Sequence, residues 1–316
     1  MNDFLVSAVI AKQLLDRQLQ CWELARNNYD ALENVCARTV DCGTFQVKVQ
    51  YNPARIVSTG AQTDRESQQT RPCFLCNDHL PDEQLRIPML GEFQLLVNPY
   101  PIFRQHWTIP KVYHQPQRIK DNFAYIVEMM RTLSPFLVFY NGPFCGASAP
   151  EHFHFQVGCR GFLPLETDCD MVERELLFAD ETLGVSVLKS YGRGVIVLES
   201  DTSIRLLDAL SDVYESLPMK EGEPEPGMNV VGWYESGNWR VCVFPRAKHR
   251  PSCYGTVGAD CLLISPGAVD MGGVLITPRK EDYEKVTSAC VRRIYQEVSL
   301  SDEAMLRFIL NLKEKL

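Results

Sequence analysis

The chain contains no run of 18 or more apolar residues, which excludes a helical segment long enough to span a membrane. It lacks a basic amino-terminal stretch leading into an apolar one. Lys12, Asp16 and Arg17 interrupt the first hydrophobic positions, so no secretory signal pattern is present. It also lacks an excess of positive charge. With 32 Lys and Arg against 40 Asp and Glu, the formal charge is −8 and the isoelectric point near 5.4, which excludes broad binding to nucleic acid or to an anionic membrane. An anionic small substrate stays open, because a few placed cations and backbone amides are enough to hold a phosphate. Without an export pattern the expected compartment is the cytoplasm. The 12 cysteines then read as reduced thiols, metal ligands or core residues rather than a disulfide framework.

What is present is a 316-residue chain, 45% hydrophobic, long enough to bury the core of one large domain or of two fused halves. From Asp3 to Asn34, Leu5, Val9, Leu15, Leu19, Trp22 and Tyr29 recur near helical spacing. This predicts one amphipathic helix packed on the body, with dimerisation into a homodimer or a lid as its alternative uses. Thr44 to Tyr51 alternates Phe45, Val47, Val49 and Tyr51 with polar residues, the pattern of a half-buried antiparallel strand. The polar stretch Ser58 to Arg71 predicts a loop. Between Cys73 and Gly158, strands are expected at Phe93–Asn98, Trp107–Pro110, Phe136–Tyr140 and His152–Gly158, with a helix over Ile119–Leu133. The later half repeats the style. It has strands near Val185–Lys189 and Gly194–Glu199, a helix over Thr202–Leu217, a Pro/Glu/Gly linker from Pro218 to Gly227, and strands at Met228–Glu235 and Trp239–Phe244. Two closing helices follow, Glu281–Val298 and Asp302–Lys315, the second with Ser301 as N-cap. Pro110-Lys111-Val112-Tyr113-His114 and Pro245-Arg246-Ala247-Lys248-His249 each follow an apolar strand, an internal echo that reads as a diverged duplication.

The strongest chemical signal is the segment Asn141-Gly142-Pro143-Phe144-Cys145-Gly146-Ala147-Ser148 followed, after Ala149-Pro150-Glu151, by His152-Phe153-His154-Phe155-Gln156. On a strand, His152, His154 and Gln156 share one face while Phe153 and Phe155 anchor the other in the core. Gly146, Ala147 and Ser148 form a small-residue loop that lets backbone N–H groups approach a phosphate, with the Ser148 hydroxyl as a further donor. An imidazole on such a support can attack an α-phosphorus and carry the nucleotidyl group covalently. Gln156 cannot exchange a proton at neutral pH, so its amide is expected to hydrogen-bond phosphate oxygens.

This segment resembles the active-site motif of the histidine-triad superfamily, in the branch of galactose-1-phosphate uridylyltransferases, diadenosine tetraphosphate phosphorylases and GDP-hexose phosphorylases. In that branch an Asn precedes a Gly-x-Ser turn and a His-x-His-x-Gln strand, and Asn141 stands eleven residues before His152, the spacing of the uridylyltransferases. Tyr51-Asn52-Pro53, Asn98-Pro99-Tyr100-Pro101 and His106-Trp107-Thr108-Ile109-Pro110-Lys111 extend the resemblance, which covers about residues 45–160 and is only architectural beyond. It implies that His154 is the nucleophile, and that Gln156 in place of a third His favours transfer over hydrolysis. It implies that Asn98 meets the ribose and that Asn141, Gly146 and Ala147 line the phosphate site. It also completes a Cys2His2 set. Cys73-Phe74-Leu75-Cys76 alone is a weak metal signal, but the family pattern adds His114 and His152, giving a structural zinc; His79 and His106 are the rival ligands. Among the cations, Arg55, Lys111, Arg246 and Lys248 sit beside matched motifs and are the expected phosphate clamps. Asp270 lies on a Gly-rich turn.

The reading is therefore an α+β protein of two fused histidine-triad-like halves, antiparallel sheets flanked by helices, the second half degenerate. The boundaries are a helical segment over 1–43, a catalytic half over 44–165, and a second half with the closing helices over 166–316. The expected reaction moves a nucleoside monophosphate from a dinucleoside polyphosphate or nucleotide sugar to phosphate or a sugar phosphate. The alternatives are a hydrolase of the same superfamily, with water as acceptor, and a catalytically silent nucleotide sensor.

Overall fold

The computed structural model describes residues 6–56, 72–255, 258 and 261–316. The expected loop from Ser58 to Arg71 lies outside them. Thirteen strands, β1 Cys36–Asp41, β2 Gln46–Tyr51, β3 Arg86–Met89, β4 Phe93–Val97, β5 His106–Pro110, β6 Leu137–Asn141, β7 His154–Gly158, β8 Arg174–Ala179, β9 Leu183–Leu188, β10 Ile196–Ser200, β11 Met228–Glu235, β12 Asn238–Pro245 and β13 Val274–Thr277, form two sheets among the described residues. The larger has ten strands in the order β3-β4-β5-β7-β6-β11-β12-β10-β9-β8, antiparallel throughout. The smaller is β1-β2-β13, with β13 parallel to β2.

The topology of the large sheet runs twice. A three-stranded meander (β3-β4-β5) is followed by helix α3 (Phe123–Thr132) and by β6 and β7, and β7 inserts between β5 and β6. The meander β8-β9-β10, helix α5 (Ser203–Ser216) and strands β11 and β12 repeat this order, with β12 between β10 and β11. The two runs meet along β6 and β11, from Asn141 opposite Asn229 to Leu137 opposite Trp233. By this topology the counterpart of β7 is β12, and that of β5 is β10. The expected echo, which set the end of β5 against the end of β12, therefore compares strands at non-equivalent places.

Strand alternation assigns the two faces. Phe153, Phe155, Val157, Val138 and Tyr140 point into one core, covered by α1 (Ala8–Cys21), α3, α5 and α9 (Asp302–Lys313). In α5 the buried residues Leu206, Ala209, Leu210 and Val213 fall at i, i+3, i+4 and i+7, one helical stripe. Leu137, Phe139, Val231 and Trp233 point into the second core, beneath the small sheet, α4 (Pro164–Met171) and α8 (Ser288–Val298). Ser301 caps α9 as expected, its hydroxyl accepting from Ala304 N–H at 3.3 Å.

Two expected helices are each broken. The amino-terminal one ends at Cys21, and Trp22 takes an extended conformation before α2 (Glu23–Ala31). The turn buries the indole of Trp22 and leaves Leu24 beside the cleft described below. The segment expected from Glu281 divides into α7 (Lys280–Lys285) and α8, with Thr287 as a new N-cap that accepts from Cys290 N–H. A short helix α6 (Ala268–Met271) precedes β13. No helix among the described residues is long and apolar enough to cross a membrane, and all 12 cysteines are free thiols.

The linker is pinned by one buried carboxyl. Glu225 accepts Ile119 N–H at 2.8 Å and Tyr140 O–H at 2.6 Å, and burial raises its pKa to about 7. A carboxyl raised on folding stabilises fully below its unfolded value near 4.5, and that contribution is lost as pH rises through about 7. Glu225→Gln, which cannot ionise, is therefore expected to gain on the wild type by about 2 kcal/mol between pH 5 and pH 8. Paired thermal melts across that range check this; a pH-independent difference would refute it.

Candidate active site

Where β6 and β7 part, the sheet opens into a cleft of about 450 Å³. Pairing between the two strands stops at Phe139 opposite Gln156. Beyond that point the fully buried side chain of Gln117 takes the place of a strand. Its Nε2 donates to the carbonyls of Asn141 (3.0 Å) and His154 (2.9 Å), and its Oε1 accepts His154 N–H (2.8 Å). Sequence reading missed Gln117, because nothing local distinguishes it from other loop amides. It holds the backbone of His154 on both sides.

His154 and Gln156 project into the cleft from the face opposite Phe153 and Phe155, as alternation requires. His152 does not share that strand face: β7 begins at His154, and His152 sits in the preceding turn with its N–H on Ala149 O. Backbone groups decide the protonation of each ring, since a carbonyl can only accept and an amide N–H can only donate. His154 Nδ1–H donates to the His152 carbonyl at 2.9 Å, which leaves Nε2 with its lone pair. Burial lowers the His154 pKa to about 4, so the ring is neutral near pH 7. His152 Nε2–H donates to the Lys111 carbonyl at 2.8 Å, so its Nδ1 carries the lone pair.

That lone pair faces a cluster. Cys73 Sγ lies 3.3 Å and Cys76 Sγ 3.5 Å from His152 Nδ1, Cys76 Sγ lies 3.1 Å from His114 Nδ1, and all four ligand atoms fall within 4.8 Å of one another. Zinc bond lengths of roughly 2.3 Å to sulfur and 2.0 Å to nitrogen at a tetrahedral angle put S and N about 3.5 Å apart. Two thiols and two imidazoles with that spacing can hold a metal ion. The rivals are elsewhere. His79 bonds Cys73 O through Nδ1 at 2.9 Å and lines the cleft, and His106 is buried under it.

His106 has a different task. Its Nδ1 accepts Ile102 N–H at 3.2 Å, so the proton must sit on Nε2, which meets Gln156 Oε1 at 3.0 Å. Burial first, then the Arg55 cation, lowers its pKa to about 3, which keeps this neutral tautomer. With its oxygen taken by His106, the Gln156 amide turns its NH2 end to the cleft. Sequence reading assigned His106 only as a rival metal ligand.

Asn98, Asn141, Gly146, Ala147 and Ser148 line the cleft. The polar ends of Asn98 already hold Thr108 Oγ1 and Tyr100 N–H, and Asn141 Oδ1 accepts from Ala268 N–H and Asn229 Nδ2. Gly146, at φ +98°, packs against the second half so closely that a Cβ would lie 2.6 Å from Gly267 Cα. Three expected clamps are misplaced. Lys111 points to the helical face, pairs with Glu92 at 2.8 Å and lies over the rings of Phe93, Tyr125 and Phe153. Arg246 is buried and spends its guanidinium on Asn229 and on the carbonyls of Val298, Pro266, Lys248 and His249. Lys248 pairs with Glu297 on the surface. Arg55 does reach the cleft, with Nη1 on Tyr100 O at 2.7 Å, and so do His249, Arg250, Ser265 and Asp270 from the second half. Burial raises the Asp270 pKa to about 6 and lowers that of Arg55 to about 10.

A large antiparallel sheet whose repeated topology ends in an imidazole-bearing central strand defines a histidine-triad-like fold, and comparison with known proteins agrees. Yeast Ap4A phosphorylase Apa2 in complex with Ap4A has the same fold, with a TM-score of 0.57 at 16% identity, covering 89% of this chain and 97% of that one. The AMP complex gives 0.54 at 16% identity over 90% and 97%, and a further structure of the enzyme gives 0.53 at 17% over 88% and 94%. No curated protein matches the chain by sequence. Residues 170–314 match the GDPGP1-like C-terminal domain, and residues 14–159 match a domain of unknown function, DUF4922. Residues 170–314 are thus similar to the GDPGP1-like C-terminal domain, and the chain shares the fold of the yeast phosphorylase.

The His106 contact predicts a positioning effect. His106→Phe keeps an aromatic ring beside Phe103 and Phe139 but frees the Gln156 amide to turn over. We expect a lower melting temperature, because the buried Ile102 N–H loses its acceptor, and a fall in kcat per folded molecule of at least about tenfold, the scale of one lost oriented hydrogen bond. His106→Gln, which can still donate to Gln156, should recover part of the loss. Equal rates in all three proteins would rule the role out.

Proposed function

We propose that the protein is a nucleotidyltransferase of the phosphorylase type, which carries a nucleoside monophosphate on His154 Nε2. The observation that carries the reading is the bond from His154 Nδ1–H to the His152 carbonyl, which leaves a neutral imidazole with its lone pair on the nitrogen not bound to the backbone. In the first step Nε2 attacks the α-phosphorus of the donor, and the bond to the leaving group breaks, a nucleoside polyphosphate from a dinucleoside polyphosphate or a sugar phosphate from a nucleotide sugar. Ser148, the backbone of the Gly146–Ser148 loop and the Gln156 NH2 group receive the charge that develops on the phosphoryl oxygens. In the second step phosphate or a sugar phosphate takes the nucleotidyl group from His154. Because the Gln156 amide cannot take a proton from an attacking water, transfer is favoured over hydrolysis. The fold shared with a phosphorylase solved with Ap4A and AMP supports a dinucleoside polyphosphate or a nucleotide sugar as donor.

The Cys73, Cys76, His114 and His152 set would hold zinc as a structural ion, with every coordination position filled by protein and none open to substrate. Its effect would be to fix the turn that carries the His152 carbonyl, and through it the orientation of His154.

Two outcomes follow. Incubation with a panel of α-32P-labelled nucleotides and nucleotide sugars should leave an acid-labile, base-stable label on the wild type and none on a folded His154→Ala protein. Equal labelling of both would move the nucleophile elsewhere. Elemental analysis should find one zinc per chain, and Cys73→Ser should lower metal content and melting temperature more than it slows labelling per folded molecule. A metal-free protein of full activity would end the zinc assignment.

A further inference from the structure

Two of the imidazoles that line the cleft are held by the same construction. His154 gives its Nδ1–H to the carbonyl of His152, and His79 gives its Nδ1–H to the carbonyl of Cys73 at 2.9 Å. His152 and Cys73 both belong to the thiol and imidazole cluster. A third member, Cys76, accepts the backbone N–H of His79 through its carbonyl at 2.9 Å and donates its own N–H to Cys73 O at 3.2 Å. The cluster that orients His154 thus also clasps His79, by main chain and ring together. The bond at Nδ1 makes Nε2 the outer end of the His79 ring, and that atom has no partner among the described residues.

The sheet register locates His79 relative to the nucleophile. Leu96 on β4, Thr108 on β5, Gln156 on β7 and Phe139 on β6 stand opposite one another in one row across the sheet, and all four line the cleft. At about 4.8 Å between neighbouring strands, Leu96 lies about 10 Å from Gln156, with Thr108 between them. The segment after Cys76 is tied to the Leu96 end. Asn77 Oδ1 accepts from Gln94 Nε2 at 2.8 Å, and Gln84 Nε2 donates to Val97 O at 3.0 Å. Asn28 of α2 donates to Pro99 O at 2.7 Å and brings Trp22 and Leu24 to the same end. Apolar surface therefore dominates there, from Trp22, Leu24, Phe74, Pro81 and Leu96. The Gln84 NH2 group is spent on the Val97 carbonyl and the Asn98 amide on Thr108 and Tyr100. His79 Nε2 is then a directed hydrogen-bonding group set among flat and aliphatic surfaces.

We propose that His79 is a specificity-determining residue of the nucleotide site, its Nε2 taking a hydrogen bond from an N–H group on the edge of the nucleobase. The proposal rests on the nucleotidyl-transfer reading and deepens it, since that reading leaves the base open. With the nucleotidyl phosphorus on His154, the two strand steps from Gln156 to Leu96 match the reach of a ribose and its base. A base has apolar faces and a polar edge, which suits apolar walls around one aimed polar atom. In the uncharged ring the proton is on Nδ1, so Nε2 accepts and cannot donate, and a base that presents only an acceptor at that point is rejected. The Cys73–Cys76 turn and the His152 turn then place both groups that meet the nucleotide, the nucleophile and the reader of the base, from one cluster.

Equilibrium binding to the full-length protein separates recognition from the clasp. AMP, GMP, CMP and UMP are titrated by calorimetry into the wild type, and the tightest is compared with a nucleotide whose edge N–H is deleted or methylated. These are purine riboside 5′-monophosphate for AMP, inosine and 1-methylguanosine 5′-monophosphates for GMP, zebularine 5′-monophosphate for CMP and 3-methyluridine 5′-monophosphate for UMP. His79 is exposed, so its bond competes with water, and an analogue is expected to bind at least about tenfold more weakly. Two variants, each confirmed as folded by its melting curve, divide the roles. His79→Asn can still donate from Nδ2 to the Cys73 carbonyl but falls short of the base, and should bind nucleotide and analogue within about twofold of each other. His79→Gln reaches as far as Nε2 with an amide oxygen and should keep part of the discrimination. Undiminished discrimination in His79→Asn overturns the proposal. So does a wild type that binds none of the four nucleotides, or that does not distinguish the tightest from its analogue. If the wild type took no 32P label while His79→Asn still lost the discrimination, the nucleotidyl-transfer reading would fall and the base contact would remain.

Discussion

The imidazoles of His154, His152 and His106 each have one nitrogen bonded to a backbone group, and a backbone group cannot change its role. A carbonyl on His154 Nδ1, a carbonyl on His152 Nε2 and an amide on His106 Nδ1 together dictate where every proton sits. The remaining nitrogen of each ring is thereby set: one lone pair faces the thiol cluster, one belongs to a ring that lines the cleft, and one N–H meets Gln156. Burial reinforces the choice by holding all three rings neutral. The arrangement of these rings needs little else from the sheet than that these carbonyls and amides stay where they are. Much of the local structure, Gln117 above all, serves that end.

The two runs of the large sheet have divided the labour. The first keeps the imidazole and the amide on its inserted strand. The strand in the same place in the second run, β12, carries Arg240, Cys242 and Phe244 instead, and Arg240 is spent on Asp170 and Glu199. What the second run retains is its position. The β6–β11 junction and the contact of Gly146 with Gly267 set its loops against the first site, so its contribution is a wall. Arg246 illustrates the change of use: it has the charge of a ligand clamp and works as the brace that holds the wall's backbone.

Much of this was legible in the sequence, for physical reasons that also mark where legibility ends. Phe153 and Phe155 alternating with His154 and Gln156 announced both strand and faces, because period two is a local property. The thiol and imidazole set followed from family resemblance and is brought together in the fold. Strands β1, β3, β8 and β13 were missed; each is a sheet edge that pairs on one side only, the first three carrying mixed polarity (Arg38 and Asp41, Pro88, Glu175) and β13 being a four-residue, mainly apolar run without alternation. The single helices expected at either end were broken because periodicity persists across Trp22 and across Val286-Thr287, where only the backbone angles change. The cations were the least legible. Lys111 follows a matched strand, yet Glu92 and three aromatic rings draw it to the opposite face, while Arg250, one residue past the Pro245–His249 echo and not singled out there, lines the cleft. Where a long side chain ends is set by tertiary partners and not by its own sequence neighbours.

The parallel pairing of β13 with β2 sets Val274 against Lys48 and Thr277 against Tyr51. Residues next to the opening strands of the chain thus find their partner only after more than two hundred others have been joined to it. During synthesis on the ribosome the inner edge of β2 must wait unpaired, with Val47 and Val49 uncovered, until Val274–Thr277 has emerged. Arg38, whose guanidinium reaches the carbonyls of Tyr283 and Val286, waits with it. The small sheet acts as a clasp. It can close only after Thr277 has been made, so a product that stops before β13 keeps an open strand edge, the feature by which nascent chains pair wrongly and are taken up by chaperones and proteases.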